Sequence, residues 1–254
     1  MNFSVIIPAR YGSTRFPGKP LALINNKSMI QHVFERAQES GAKQIIVATD
    51  DQRIADACHS FGAQVCMTAD DHESGTSRLA EVIAKENIDK KQIVVNVQGD
   101  EPFIPAENII QVAKNLAENP HVPMGTLAQV ITDVDDILNP NIVKVVTNAK
   151  NLAMYFSRAV IPFDRNAMLS NDLTELSLED LPGEYLRHIG IYGYRAGFVS
   201  QYNKLASTQL ESIESLEQLR VLWHGYNIHV DVAAKTPPHG VDTPEDLARL
   251  MAAS

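Results

Sequence analysis

Four short apolar runs constrain this chain more than any other feature: FSVIIPA at 3–9, QIIVATD at 44–50, QVCMT at 64–68 and IVVNV at 93–97. All are rich in β-branched residues, which suit strands. The stretches between them, at 28–40, 51–61 and 76–86, carry helical patterns instead, and Gly41 supplies a stop for the first. Near-continuous apolar strands separated by helices predict a parallel sheet covered on both faces. With right-handed crossovers the expected fold is α/β, a Rossmann-like, mostly parallel sheet flanked by helices.

Beyond a helix predicted at 105–118 the pattern changes. MGTLAQVI, IVKVVTN and LAMYFSR follow more closely on one another and alternate more, which predicts antiparallel strands and a smaller β-rich lobe. The polar stretch 166–183 reads as a loop or short helices, followed by a strand in LRHIGIYGYR. A helix at 211–225, a strand at 227–234 and a helix at 244–252 complete the chain. The expected organisation is a single domain over 1–254, with a first part about 1–120, a second about 121–230 and a C-terminal helix returning to the core.

The net charge of −9 argues against a nucleic-acid partner, whose phosphates demand a broad basic surface. Its distribution is uneven. Residues 1–49 carry +4, so the remainder carries −13, and a small anionic ligand near the N-terminal segment fits that asymmetry. MNFSVIIPARYG has no basic lead and only a short apolar run, so neither a secretory signal nor a membrane span is expected and the reading is a soluble, cytoplasmic protein. Cys58 and Cys66 have no metal or redox spacing and are expected to be reduced packing residues.

The loop PARYGSTRFPGKP, residues 8–20, leaves the carboxyl end of the first predicted strand, the edge where α/β sheets bind ligands. Gly12 and Gly18 permit tight turns with exposed N–H groups, and Arg10, Arg15 and Lys19 add three cations. The combination reads as a triphosphate cradle. It is not a P-loop, because five residues separate the glycines and Pro20 follows Lys19, and it lacks the third glycine of a dinucleotide fingerprint.

QGDEP at 98–102 ends another apolar strand, so strand polarity brings Asp100 to the same edge, where a carboxylate could hold Mg²⁺ against phosphate oxygens. Glu101 is an equal candidate on spacing, and a plain strand-to-helix turn is an equal reading. In GVDTPEDL, Thr243, Pro244, Glu245 and Asp246 make a well-formed helix start, which leaves Asp242 outside the cap. In LRHIGIYGYR, alternation puts His188, Gly190 and Tyr192 on one face, either a ligand-facing row or a solvated strand face. In ESLEQLRVLW, Leu216, Leu219 and Leu222 point to a core and leave Glu217 and Gln218 as ordinary surface.

Together PARYGSTRFPGKP, VNVQGDEP, YFSRAVIPFDR, YLRHIGIYGYRAGF, LEQLRVLWHGY and GVDTPEDL strongly resemble the 3-deoxy-manno-octulosonate cytidylyltransferases, over residues 5–247. In SGTSRLAE, Ser77 stands where that family carries an acidic residue. The resemblance implies transfer of CMP from CTP to 3-deoxy-manno-octulosonate (Kdo) for lipopolysaccharide synthesis, by a cytoplasmic, Mg²⁺-dependent homodimer whose second part binds the sugar and dimerises. It implies that Arg10 and Lys19 hold the triphosphate with Arg15 nearby, and that Pro8, Ala9, Gly75 and Arg78 surround the cytidine. Asp100 and Asp242 become the metal ligands, and Gln98, His188, Tyr192, Glu217 and Gln218, with Arg158, contact the sugar acid. Another synthetase that makes a CMP-linked acidic sugar, or a noncatalytic nucleotide-sugar sensor, is the alternative.

Overall fold

A computed structural model of the chain describes residues 1–12, 16–72, 74–170, 176–181, 183–238, 240–241 and 243–252. The chain runs β1 (Phe3–Pro8), β2 (Leu23–Ile24), β3 (Lys27–Ser28), α1 (Met29–Glu39), β4 (Gln44–Thr49), α2 (Gln52–Ser60), β5 (Gln64–Met67), α3 (Gly75–Lys85), β6 (Ile93–Asn96) and α4 (Ala106–Glu118). It continues through β7 (Met124–Val130), α5 (Val134–Leu138), β8 (Lys144–Thr147), β9 (Ala153–Ser157), α6 (Arg165–Ser170) and β10 (Leu186–Arg195). It closes with α7 (Ala196–Tyr202), α8 (Gln209–Glu214), α9 (Gln218–Trp223), β11 (Ile228–Val232) and α10 (Pro244–Ala252). Among the described residues no helix is long and apolar enough to cross a membrane.

Two compact units divide these elements. The first comprises Met1–Pro120, Ile191–Lys204 and Ala234–Ser254, and the second His121–Gly190 and Leu205–Ala233. In the first unit β1 lies between β6 and β4, β5 flanks β4, and all of these pairings are parallel. The register Ile6↔Ile46 and Ile6↔Asn96 brings the carboxyl ends of β1, β4 and β6 to one edge. Phe3, Val5, Ile6 and Ile7 are all buried, as a strand covered on both faces requires. The helices bury one stripe each: in α1 it is Met29, Ile30, Val33, Phe34 and Ala37, a spacing that returns every turn.

Tyr192–Arg195 of β10 pair antiparallel with β6. Arg195 closes that strand by donating from Nη2 to the carbonyls of Leu116 (2.6 Å) and Asn119 (3.0 Å) at the end of α4. In the second unit β7 pairs parallel with β11, and β8 pairs antiparallel with β9 and with Leu186–Arg187 of β10. Ile131, Ile137, Met168, Leu176, Leu181 and Tyr185 form a core cluster there. The predicted helix at 211–225 is two short helices, because Ser215 adopts a left-handed conformation (φ 53°) and breaks it. At the C-terminal end Thr243 and Asp246 exchange side-chain-to-backbone bonds of 2.9 and 3.2 Å, the expected start of α10.

Gly193 shows how closely α4 packs on β10. A Cβ there would lie 2.6 Å from Val112 Cγ1 and 2.9 Å from Leu116 Cδ1. Overpacking of that kind costs about 1–3 kcal/mol. We therefore expect urea unfolding to show Gly193→Ala destabilised by that amount and Gly183→Ala, where nothing lies within 4 Å, to be close to wild type.

Candidate active site

The loop after β1 is built around a buried lysine. Ala9 extends the ladder by donating to the Ala48 carbonyl (2.8 Å), after which the chain leaves the sheet and Arg10 is exposed. Gly18 turns it back with φ 72° and donates to the Tyr11 carbonyl (3.0 Å), and the Tyr11 ring lies 3.1 Å from where a Cβ would stand. Glycine is needed on both counts. The Tyr11 ring also carries the Arg53 guanidinium, 3.3 Å from its centroid. The short 3₁₀ turn Lys19–Leu21 follows and leaves Lys19 only 9% exposed.

The Lys19 ammonium donates to Asp100 Oδ2 (2.7 Å) and to the Val241 carbonyl (2.9 Å), while the Val241 N–H donates to the Asp100 carbonyl (3.1 Å). Three segments far apart in sequence thus meet at one sheet edge: the loop after β1, the QGDEP turn and the residues leading to α10. Arg15 and Asp242 lie outside the described residues, although Val241, the neighbour of Asp242, is one of the contacts.

Gly99 and Gly75 let backbone close in on this edge. A Cβ on Gly99 would stand 2.8 Å from the Pro8 carbonyl oxygen, so only glycine lets the turn after β6 lie on the end of β1. Gly75 opens α3, with Asn96 Nδ2 and Pro8 Cγ each 3.8 Å from its Cβ position. Pro8, Ala9, Gly75, Gln98 and Asp100 are therefore on elements that converge. Arg78 is buried, with its guanidinium paired to Asp50 (2.7 Å) and hydrogen-bonded to Thr68 Oγ1. Ser77 completes the capping box of α3 with Ser74, the role an acidic side chain at that position would otherwise fill.

Glu101 is the carboxyl that spacing left undecided against Asp100. Its Oε2 is inaccessible and without a partner among the described residues, and burial, aided by the charge of Asp100, pushes its pKa up to about 8. It is held neutral at ordinary pH, which makes Asp100 the better hard-cation ligand. Among the described residues no group of three or more His, Cys, Asp or Glu is placed to hold a metal ion. A magnesium ion bound through one or two carboxylates plus phosphate oxygens and water needs no such cage, so the donor chemistry of Asp100 fits it.

Of the candidate sugar contacts, Gln98 and Tyr192 belong to the first unit and Arg158, His188, Glu217 and Gln218 to the second. His188 Nε2 meets Thr126 Oγ1 at 3.1 Å and its ring packs edge-on against Phe156, with centroids 5.2 Å apart. Burial pushes its pKa down to about 3, so the imidazole is neutral. Glu217 is exposed, but Gln218 is 6% exposed, with its Nε2 buried and without a hydrogen-bond partner among the described residues, unlike the ordinary surface predicted for it. The break at Ser215 re-aims the first turn of α9 and so corrects the reading of that face. Arg158 donates from Nε to the Glu214 carbonyl (2.8 Å) and from Nη1 to the Pro140 carbonyl (3.1 Å).

Asp50, Thr68 and Glu214 were not singled out by sequence. Asp50 ends QIIVATD at the same sheet edge as Asp100, so strand polarity alone could have found it. Thr68 and Glu214 carry no such signal, being ordinary polar residues until the fold brings Arg78 and Arg158 to them.

Residues 4–228 match the family described as cytidylyltransferase. A 3-deoxy-manno-octulosonate cytidylyltransferase of Pseudoalteromonas atlantica is 60% identical over 252 residues, covering 99% of this chain and 98% of its own. One from Alteromonas mediterranea is also 60% identical, covering 99% of each. A solved CMP:2-keto-3-deoxy-manno-octonic acid synthetase, complexed with CTP, superimposes with a TM-score of 0.89 at 42% identity, covering 100% of this chain and 98% of that one.

The neutral His188 has a consequence for stability. Its imidazole takes a proton below about 6.5 when unfolded and only near 3 when folded, so its contribution is complete above pH 6.5 and is lost as pH falls. At pH 5 the difference is about 2 kcal/mol. Urea unfolding at pH 7 and pH 5 should show wild type losing about that much more stability than His188→Gln; equal losses would show that the ring takes up its proton in the folded state.

Proposed function

The chain belongs to the cytidylyltransferase family, and on that premise we propose which of its residues carry the reaction. That reaction transfers CMP from CTP to the anomeric hydroxyl of 3-deoxy-manno-octulosonate, giving CMP-Kdo and pyrophosphate. The observation that carries it is identity of 60%, over 99% of the chain, with a cytidylyltransferase of that name. The sugar oxygen bonds to the α-phosphorus, the bond to the β-phosphate bridge breaks, and the hydroxyl proton passes to solvent. Little covalent work falls to the protein, so positioning and charge neutralisation supply the catalysis.

Arg10 and Lys19, with Arg15, bind the triphosphate; the nearly buried ammonium of Lys19 at the carboxyl edge of the sheet supports this. Pro8, Ala9 and Gly75 surround the cytidine, where the absence of side-chain bulk at Gly75 leaves room for a planar base. Arg78, tied to Asp50 and Thr68, stiffens the segment that opens α3. Gln98, Tyr192, His188, Glu217, Gln218 and Arg158 contact the sugar acid, and Nε2 of Gln218, without a partner among the described residues, is a donor available to an oxygen-rich ligand. Asp100 and Asp242 would hold Mg²⁺, which neutralises phosphate charge and lowers the pKa of the attacking hydroxyl. We also propose a cytoplasmic homodimer. The exposed Met154, Ile213 and Trp223 of the second unit support an apolar contact between copies.

Pyrophosphate release with CTP and Kdo tests the reaction, and a protein that used N-acetylneuraminate as readily would lose the named substrate. Asp100→Asn and Asp242→Asn should each remove about 3–4 kcal/mol of transition-state stabilisation, with the thermal melt staying near wild type for Asp242→Asn and falling for Asp100→Asn, which loses the charge facing the Lys19 ammonium. Near-normal turnover in Asp242→Asn would return that residue to the approach to α10. Lys19→Ala should lower kcat/KM for CTP sharply, whereas Lys27→Ala, whose ammonium is occupied by Glu35 at 2.8 Å, should change little. Equal effects would mean general steering by the basic segment.

A further inference from the structure

Glu214 occupies an unusual place in the second unit. It is the last residue of α8, and the left-handed Ser215 follows and turns the chain toward α9. Its carboxylate accepts from Ser157 Oγ (2.6 Å), the Arg158 N–H (2.9 Å) and Tyr155 Oη (3.3 Å), and its carbonyl accepts from Arg158 Nε (2.8 Å). Side chain and backbone of one residue thus grip the end of β9 together. Burial would raise the Glu214 pKa, but the bonds from the Arg158 N–H, Ser157 and Tyr155 outweigh it and hold the group below the usual carboxylate range, so these are bonds to a charged acceptor.

The Arg158 peptide is held from its other side as well, because the Lys144 ammonium donates to the Arg158 carbonyl (2.8 Å). Beyond Ser215, the Leu216 N–H donates to the Glu211 carbonyl (3.0 Å) and the Leu219 N–H to the Leu216 carbonyl (3.2 Å). No slack therefore lies between Glu214 and the start of α9, where Glu217 sits beside Gln218, whose buried Nε2 has no partner among the described residues. A bare buried donor is costly unless a ligand oxygen meets it, and it can meet one only where the backbone sets it.

We propose that Glu214 is a positioning residue for the sugar acid: it locks the α8–α9 corner carrying Glu217 and Gln218 onto the end of β9 that carries Arg158. The inference rests on the reading above of those three residues as sugar contacts. Glu214 itself touches no substrate, since its oxygens are occupied by β9. A misplacement of about 1 Å at such contacts weakens use of one substrate without disturbing a site elsewhere in the chain.

Steady-state pyrophosphate release with CTP and Kdo varied separately tests it, alongside thermal melts. Glu214→Ala should raise KM for Kdo about tenfold or more while KM for CTP stays within about twofold, with Glu214→Gln intermediate because it keeps one acceptor oxygen. Ser157→Ala, which removes one donor, should shift KM for Kdo in the same direction by less. Glu214→Gln and Ser157→Ala decide the matter if Glu214→Ala does not fold. An unchanged KM for Kdo, or equal rises for both substrates, in folded variants overturns the positioning role alone. A wild-type protein that releases no pyrophosphate with Kdo overturns the reaction and this inference together.

Discussion

The nearly buried ammonium of Lys19 is the constraint on which the first unit depends. Withdrawing such a charge from water costs several kcal/mol unless acceptors replace the lost solvation. Asp100 and the Val241 carbonyl supply them from segments 81 and 222 residues away. The loop after β1, the turn after β6 and the approach to α10 must then arrive at one place. A parallel sheet makes this possible, because it delivers the carboxyl ends of β1, β4 and β6 to a common edge. Lys19, one of the cations clustered in the first 49 residues, is thus matched by the Asp100 carboxylate brought back from a later segment, which the linear charge distribution does not reveal.

Close backbone approach is the second requirement, and it explains glycines that a motif would only record. Gly99 permits the β6 turn to lie against the Pro8 carbonyl, and Gly193 permits α4 to pack on β10. Gly99 lies just beyond the carboxyl end of β6, and Gly193 pairs with Val95 within that strand. One shapes the ligand edge, and the other fixes the sheet behind it. Gly18 differs in kind, since its positive φ is demanded by the turn itself as well as by the Tyr11 ring.

The elements of the first unit were legible because apolar runs and amphipathic stretches obey two periods that sequence displays directly. Asp100 and Lys19 were legible for the same reason, since each follows a strand whose direction is fixed by the parallel arrangement. The break at Ser215 was not, because Leu216, Leu219 and Leu222 keep helical spacing across a residue that leaves helical conformation. With the helix misread as continuous, Gln218 fell on an outer face although it is buried. The surroundings of His188 were hidden for a related reason: alternation gives its strand face but not Phe156 of β9, whose ring packs edge-on against the imidazole. The partners of Arg78 were not legible either, since only the fold brings Asp50 and Thr68 to its guanidinium.

The second unit solves the problem of a buried cation in a different way from the first. Lys144 is fully buried, yet among the described residues its ammonium faces no carboxylate at hydrogen-bond distance; it donates to the carbonyls of Asn139 (2.8 Å), Ile142 (2.7 Å) and Arg158 (2.8 Å). Burial pushes its pKa down, and the neighbouring Arg158 adds to that effect. Three dipoles replace one counter-ion, so the charge is solvated by backbone that cannot shift without losing a donor. An apolar side chain of the same length would fill the space but leave three carbonyls short of a partner, each costing about 1–3 kcal/mol if water cannot reach it. The charge therefore serves as a clamp on backbone geometry, and the backbone it clamps is the stretch from α5 to the end of β9. Where Lys19 pairs with a carboxylate at the carboxyl edge of the sheet, Lys144 is sealed behind carbonyls, and that difference in partners separates a cation that joins distant segments from one that shapes the chain around it.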